Sequence, residues 1–267
     1  MIIDLLVRFA YAGHPHVHPI QGRPARVIEP YIVNSTRGRS PGGADVEHSV
    51  AVTTSHAPAV DAVCWDWNGT LLNDTDVARA AMNTVLTERG LPVVPDPAAY
   101  RALFGFPVQA FYERLGIVDA DFRVAAGRYL ELFAAQVDQA RLQSEAAATL
   151  SAITRLGVEQ VLISATVPET LHHQMAPHAI EEHFVAILGI TDAYVPSKAV
   201  VVTSWLQSSG HDPRRVLMVG DTNHDEEIAS ELGVKFVRFS LGHQAPPDHD
   251  RYPVVHDLRE VIQHVHG

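Results

Sequence analysis

From Val60 onward the chain is a succession of short apolar runs, each closed by Gly, Ser or Asp and separated by stretches of helical period. The runs are Asp61–Asp66 (DAVCWD), Gln160–Ser164 (QVLIS), Phe184–Leu188 (FVAIL), Arg215–Gly220 (RVLMVG) and Lys235–Phe239 (KFVRF). Runs this short and this apolar suit strands buried on both faces, and the helical stretches between them are the crossovers that parallel strands require. The pattern predicts an α/β fold with a parallel five-stranded sheet. Between the first two runs, residues 74–143 carry no convincing strand signal. Val77, Ala81, Val85 and Leu86 share one helical face, as do Val124, Tyr129, Leu132 and Phe133, while Pro92, Pro95 and Pro97 cut the segment into pieces. We read it as an α-helical cap inserted into a core made of residues 60–73 and 144–267.

Residues 1–59 have a different texture. They hold six Pro and five Gly with no sustained period of 2 or 3.6, and read as a poorly ordered extension. Asp4 and Arg8 interrupt the apolar start and no basic lead precedes it, so an export signal is not expected. His14, His16 and His18 alternate as metal ligands can, but a polar tail with incidental histidines is the reading adopted. Composition narrows the function classes. The chain is 46% hydrophobic and 19% charged, as globular chains are, and no run approaches the ~20 apolar residues of a membrane span. Net charge is −11, and the five Arg and four acids of residues 1–59 leave −12 on the remainder, which argues against a nucleic-acid partner. The single cysteine, Cys64, excludes an intrachain disulfide and a multi-cysteine zinc site; it reads as a small core residue, and a reducing, cytoplasmic setting is expected.

Chemistry concentrates where the apolar runs end. Asp66 closes the first run and is followed by Trp67, Asn68, Gly69, Thr70, Leu71 and Leu72, a carboxylate at the strand edge where α/β proteins bind ligands. Gly69 allows a tight turn, and Thr70 is placed to hold the Asp66 carboxylate or to satisfy the turn. Ser164 ends the second run, and Asp221 and Asp225 follow the fourth. Acids converging on one edge repel unless a cation sits among them, and oxygen ligands of this kind suit Mg²⁺. Lys198 belongs to the same edge and is one of only two lysines, with Lys235, against eighteen arginines. Placement by chance is correspondingly less expected.

In this order and on these strand ends, DWNGTLL, VLISAT, Lys198 and VGDTNHDEEIA resemble the four motifs of the haloacid dehalogenase superfamily of phosphohydrolases, over residues 60–240. The resemblance implies a Rossmann-like core with a cap, and a chain similar to phosphoglycolate phosphatases acting on a small phosphorylated metabolite. It implies Asp66 as the nucleophile that forms an aspartyl-phosphate, with Ser164, Lys198 and Thr70 at the phosphoryl group. Mg²⁺ would be held by Asp66, the backbone carbonyl of Asn68 and Asp221, with Asp225 close by. Physical logic agrees, because a carboxylate attacks a phosphoryl group only if charge repulsion is screened.

Asn68 departs from the pattern. Most phosphatases of the superfamily carry a second Asp there, as general acid and then base; an amide does neither, at a typical cost of ~10² to 10⁴ in rate. Three readings stand: slow turnover or esters with good leaving groups, an acid recruited from elsewhere, or phosphate binding without useful catalysis. His224 is the candidate substitute, against a simple exposed turn residue. The absence of Lys from residues 60–197 argues against the phosphonatase branch, which needs a cap lysine. The retained GDxxxD pair disfavours the metal-free dehalogenase branch, and Asn68 disfavours a phosphomutase. Within the cap, Phe104, Phe106, Phe111 and Tyr112 are expected to pack between helices or line an entrance. Arg79, Arg101 and Arg114 are placed to recognise a substrate carboxylate or to be solvated faces. Trp65 and Trp67, alternating with Asp66, are expected to pack away from it.

Overall fold

The computed structural model describes residues 58–190, 198–248 and 251–266. The expected extension and its alternating histidines lie outside the described residues, except for Pro58 and Ala59. Those two are tied to the body, the Pro58 carbonyl accepting from Arg215 at 3.1 Å and the Ala59 N–H donating to Val265 at 2.8 Å.

The first strand, β1 (Ala62–Asp66), leads through β2 (Leu72–Asn73) into four helices: α1 (Thr75–Glu88), α2 (Pro97–Leu103), α3 (Val108–Arg114) and α4 (Asp119–Ala134). The chain returns through β3 (Arg141–Leu142), which pairs antiparallel with β2. It then alternates through α5 (Ala146–Arg155), β4 (Glu159–Ile163), α6 (Pro168–Met175), β5 (Ala186–Leu188), α7 (Lys198–Ser209), β6 (Val216–Gly220), α8 (Asn223–Leu232), β7 (Lys235–Phe239), β8 (Val254–Val255) and α9 (Val261–His266). The main sheet is parallel with order β5-β4-β1-β6-β7-β8. Renumbered along the chain that is 3-2-1-4-5-6, with β1 and β6 on either side of the point where the order reverses.

Three expectations are corrected. The sheet has six strands rather than five, because β8 is only two residues long and carries no periodic signal. The insert contains a strand, β3, which with β2 clips its two ends together. On α4 the buried face is Phe122, Ala125 and Ala126, continued by half-buried Tyr129 and Phe133, whereas Val124 is 68% exposed. Spacings of 3 and 4 define that face, and starting it at Val124 rotates it out of phase.

Local signals elsewhere behave as the residues dictate. Asp96 caps α2, its carboxylate accepting the Ala99 N–H at 2.8 Å, with Pro97 at the first helical position where its missing N–H costs nothing. The strand side chains split into two apolar layers: Val63, Trp65, Leu162 and Leu217 pack under α5 and α9, and Cys64, Val161, Ile163 and Met218 pack under α7 and α8. Helices α1–α4 close around a third cluster of their own. No helix is long and apolar enough to cross a membrane among the described residues.

Trp65 and Trp67 are both fully buried, opposite Asp66 as expected, and each indole needs an acceptor. Trp65 donates to Gln160 Oε1 at 3.1 Å and Trp67 to Gln174 Oε1 at 2.9 Å. Gln160 in turn donates to Leu150 O and Thr154 Oγ1, both at 2.9 Å, locking β4 to α5. Gln160→Leu orphans the buried Trp65 indole N–H, while the Leu150 carbonyl keeps the Thr154 hydroxyl at 3.0 Å, and should lower the unfolding free energy by ~1–3 kcal/mol in urea titrations. A loss below ~0.5 kcal/mol would show that the network contributes little.

Candidate active site

The reversal of strand order opens a crevice at the carboxyl edge between β1 and β6, and the chain delivers acids to both lips. Asp66 is the last residue of β1; Asp221 follows Gly220, which ends β6 one step beyond the Trp65–Val219 pair. Asp225 lies one turn into α8, and Lys198 opens α7. All four side chains are buried. Lys198 Nζ donates to Asp66 Oδ1 at 2.5 Å and also to Asp225 Oδ1. The other Asp225 oxygen accepts from the Thr222 N–H at 3.1 Å and hydroxyl at 2.7 Å, closing a capping box that fixes the start of α8.

Carboxylate oxygens of Asp66, Asp221 and Asp225 lie within 4.8 Å of one another. Burial and the facing acids push the Asp66 carboxyl well above the usual range, against the pull of Lys198. Burial also raises Asp221. For Lys198 burial works against the charge, but Asp225 and Asp66 outweigh it and the ammonium is held up. Three carboxylates against one ammonium leave an excess of buried negative charge, and the donors are hard oxygens. The residues fit a divalent cation of the oxygen-seeking kind.

The other candidates fall into place around this cluster. Thr70 is fully buried, its hydroxyl oxygen lying 3.1 Å from both Asp66 Oδ2 and Asp221 Oδ1. It therefore orients the acids and does not line the cavity above them. Ser164 sits at the end of β4 as expected, with its hydroxyl accepting the Thr166 N–H at 3.0 Å; Ala165 and Thr166 are the residues of that turn which reach the cavity. Asn68 faces the cavity with its amide held, Nδ2 donating to Asp74 Oδ2 at 2.8 Å and Oδ1 accepting from Thr166 at 3.3 Å. His224 lines the rim, its ring stacked on Phe106 with centroids 5.0 Å apart, and burial and Lys198 lower its pKa. Its nearest acid, Glu227, is 3.8 Å away. Arg79 is engaged with the Val94 and Pro95 carbonyls at 3.4 and 3.2 Å, and neither it, Arg101 nor Arg114 lines the cavity.

Two residues of the site went unread in the sequence. Asp74 is completely buried just before α1, where it accepts from Asn68, from the Gly69 N–H at 2.8 Å and from His243 Nε2 at 3.0 Å. His243 follows β7 and donates its backbone N–H to Asp221 Oδ2 at 2.5 Å. It thus joins the two lips of the crevice. The signal was available, since His243 lies just past an apolar run, as Asp66 and Asp221 do. Gly69 has φ +81°, and a Cβ there would collide with Asp221 and His243, so only glycine lets the β1 turn approach them.

The roof comes from the cap. The Phe106 N–H donates to Asn223 Oδ1 at 3.0 Å, Asn223 Nδ2 returns a bond to the Phe106 carbonyl at 3.2 Å, and the Ala245 N–H donates to Arg101 O at 2.9 Å. These contacts hold α2 and α3 over the sheet edge and roof a cavity of about 490 Å³ that stays open to solvent and has Asp66 and Lys198 in its lining.

The Asp74–His243 pair sets a pH dependence. Burial opposes charge on His243, but Asp74 and then Asp221 outweigh it and push the imidazole up to about 9. The folded state prefers the protonated ring, so the contribution, ~3 kcal/mol, is complete below the ordinary histidine pKa of ~6.5 and lost as pH rises through ~9. With chelator present, the unfolding free energy of the wild type relative to His243→Gln should fall by ~2–3 kcal/mol between pH ~6 and ~10. A difference independent of pH contradicts a charged His243.

Known structures share this architecture. A haloacid dehalogenase-like family hydrolase from Streptococcus pneumoniae superposes with TM-score 0.65 at 21% identity, covering 77% of this chain and 98% of that one. A predicted phosphoglycolate phosphatase from Haemophilus somnus gives TM-score 0.61 at 16% identity, covering 77% and 97%. Protein tyrosine kinase A of Mycobacterium tuberculosis gives 0.65 at 22%, covering 79% and 99%. At these identities the likeness is one of fold. None of the curated proteins matches the chain. Residues 63–239, well over half of the chain, match the haloacid dehalogenase-like hydrolase family and span every residue of the acid cluster, so the chain belongs to that family.

Proposed function

We propose that this chain is a Mg²⁺-dependent phosphohydrolase that cleaves a small phosphate monoester by way of an aspartyl-phosphate on Asp66. The observation that carries the reading is the placement of Asp66 beside Lys198, Asp221 and Asp225 in a cavity roofed by the cap. Mg²⁺ held by Asp66, Asp221 and the Asn68 carbonyl, with Asp225 nearby, would screen the repulsion between the attacking carboxylate and the phosphoryl oxygens. Lys198 holds the Asp66 carboxylate in place and offers positive charge to the same oxygens. Thr70 fixes the rotation of Asp66 and Asp221 together. Ser164 and Thr166 supply hydroxyl groups where β4 ends. The cap contacts exclude water until a second step needs it.

Asn68 supplies no proton, and Asp74 holds its amide. That observation favours a second reading, a phosphate-binding protein with little turnover. The names of the solved relatives include phosphoglycolate phosphatase, but a glycolate carboxylate would need a cation, and none of the three cap arginines reaches the cavity. The substrate is therefore stated here only as a phosphate monoester.

Release of phosphate from acetyl phosphate and p-nitrophenyl phosphate with Mg²⁺ should be abolished by Asp66→Ala, and Asn68→Asp should raise turnover of alkyl esters by ~10-fold or more. Saturable binding of phosphate analogues without Asp66-dependent release supports the second reading.

A further inference from the structure

The aromatic part of the cavity wall has a chemistry of its own. Phe104, Phe106, Tyr129 and Phe133 are all half-buried, which leaves ring surface facing the empty space, and Leu130 and Val137 complete the wall. Phe104 meets Phe106 edge-on at 5.9 Å, and Tyr129 stacks on Phe133 at 5.8 Å. Among the described residues no arginine lines the cavity; its only lysine is Lys198, already shared between Asp66 and Asp225, and the charged His243 is already paired with Asp74. Asp138, 3.4 Å from His173, also lines the cavity and offers nothing to hold a second anion on the substrate. About 490 Å³ is far more room than a two-carbon leaving group fills, and partly exposed aromatic rings around a polar base are the composition of a site for an apolar ligand.

A second, independent observation concerns the proton. At the place that the family resemblance gives to the proton donor, this chain has Asn68, which lines the cavity and whose amide, held by Asp74, cannot protonate a departing oxygen. An alkyl alcohol, with acidity near that of water (pKa about 15.7), leaves poorly without a proton. A phenol, as acidic as a tyrosine side chain (pKa about 10), leaves as its anion.

From these two observations we propose that the substrate is an aryl phosphate monoester, its ring seated among Phe104, Phe106, Tyr129 and Phe133 and its phosphoryl group on Asp66. The inference rests on the phosphohydrolase reading and names its substrate class. In the first step an Asp66 carboxylate oxygen bonds to phosphorus as the bond from phosphorus to the aryl oxygen breaks, and the electron pair stays on the phenolate, which takes a proton from solvent after release. In the second, water oxygen bonds to the same phosphorus, the bond to Asp66 breaks to restore the carboxylate, and the water proton passes to bulk.

The test uses the full chain with Mg²⁺ and has two arms. Calorimetric titration compares the non-hydrolysable probes phenylphosphonate and phosphonoacetate, and steady-state assays compare phenyl and 2-naphthyl phosphate with phosphoglycolate and glycerol phosphate. Phenylphosphonate should bind at least ~10-fold more tightly, a difference of ~1.4 kcal/mol, and the aryl esters should have kcat/KM at least ~100-fold higher. Equal or tighter binding of phosphonoacetate, or alkyl esters cleaved as fast as aryl ones, overturns the aryl assignment and leaves the phosphohydrolase standing. Preferential binding of phenylphosphonate with no turnover of any ester overturns the phosphohydrolase and supports the aryl site. If neither phosphonate binds, both are overturned.

Discussion

The buried bridge from Asp66 through Lys198 to Asp225 is the contact on which the site depends. It draws together the end of β1 and, 132 residues further along the chain, the start of α7, which it ties to the start of α8 27 residues beyond. Burying charge is costly unless each group is paired and bonded, and here the pairing is incomplete: of three clustered carboxylates, the Lys198 ammonium bonds Asp66 and Asp225 but not Asp221. Thr70, the Thr222 capping box and the His243 N–H satisfy individual oxygens without removing the excess charge. What remains is a demand for a cation at the carboxyl edge of a parallel sheet.

The cap answers a different requirement. Phosphoryl transfer needs water kept out of the first step, and the bonds between Asn223 and Phe106 hold the roof in place. The residues that make the roof also make the aromatic wall, so closing the cap and seating an apolar leaving group are one packing event. Asn68 belongs to the same logic, because a site that releases phenolate has less need of an acid. The charged pair of Asp74 and His243 then serves to hold the β1 turn, through Gly69 and Asn68, against the motif around Asp221.

Much of this was legible in the sequence for a physical reason. Strands buried on both faces have to be apolar throughout, so the five longer runs stood out, and residues immediately after them had to lie at one edge. Asp66, Ser164 and Asp221 followed from that rule, Asp225 from its place one turn beyond Asp221, and Lys198 from the scarcity of lysine and the resemblance to the family's motifs. Two-residue strands such as Val254–Val255 carry no period, and the phase of α4 hung on whether Phe122 or Val124 began the face. Asp74 was hidden because it reads as the first residue of the insert, and its role depends on how tightly residues 67–72 turn. That Thr70 holds the Asp66 carboxylate was one of the readings open in the sequence; that the same hydroxyl also reaches Asp221, 151 residues away, was not encoded in local spacing.

The central claim is that the acid cluster is a divalent-cation site whose filling reorganises its protons. Burial holds the Asp66 carboxyl high without a cation, so Mg²⁺ binding should expel a proton. Calorimetric titration of Mg²⁺ in two buffers of different ionisation enthalpy measures this directly. The account predicts one site, a buffer-dependent heat that reports proton release, and loss of both in Asp221→Asn. Binding that persists unchanged in that variant, or no binding by the wild type, would contradict it.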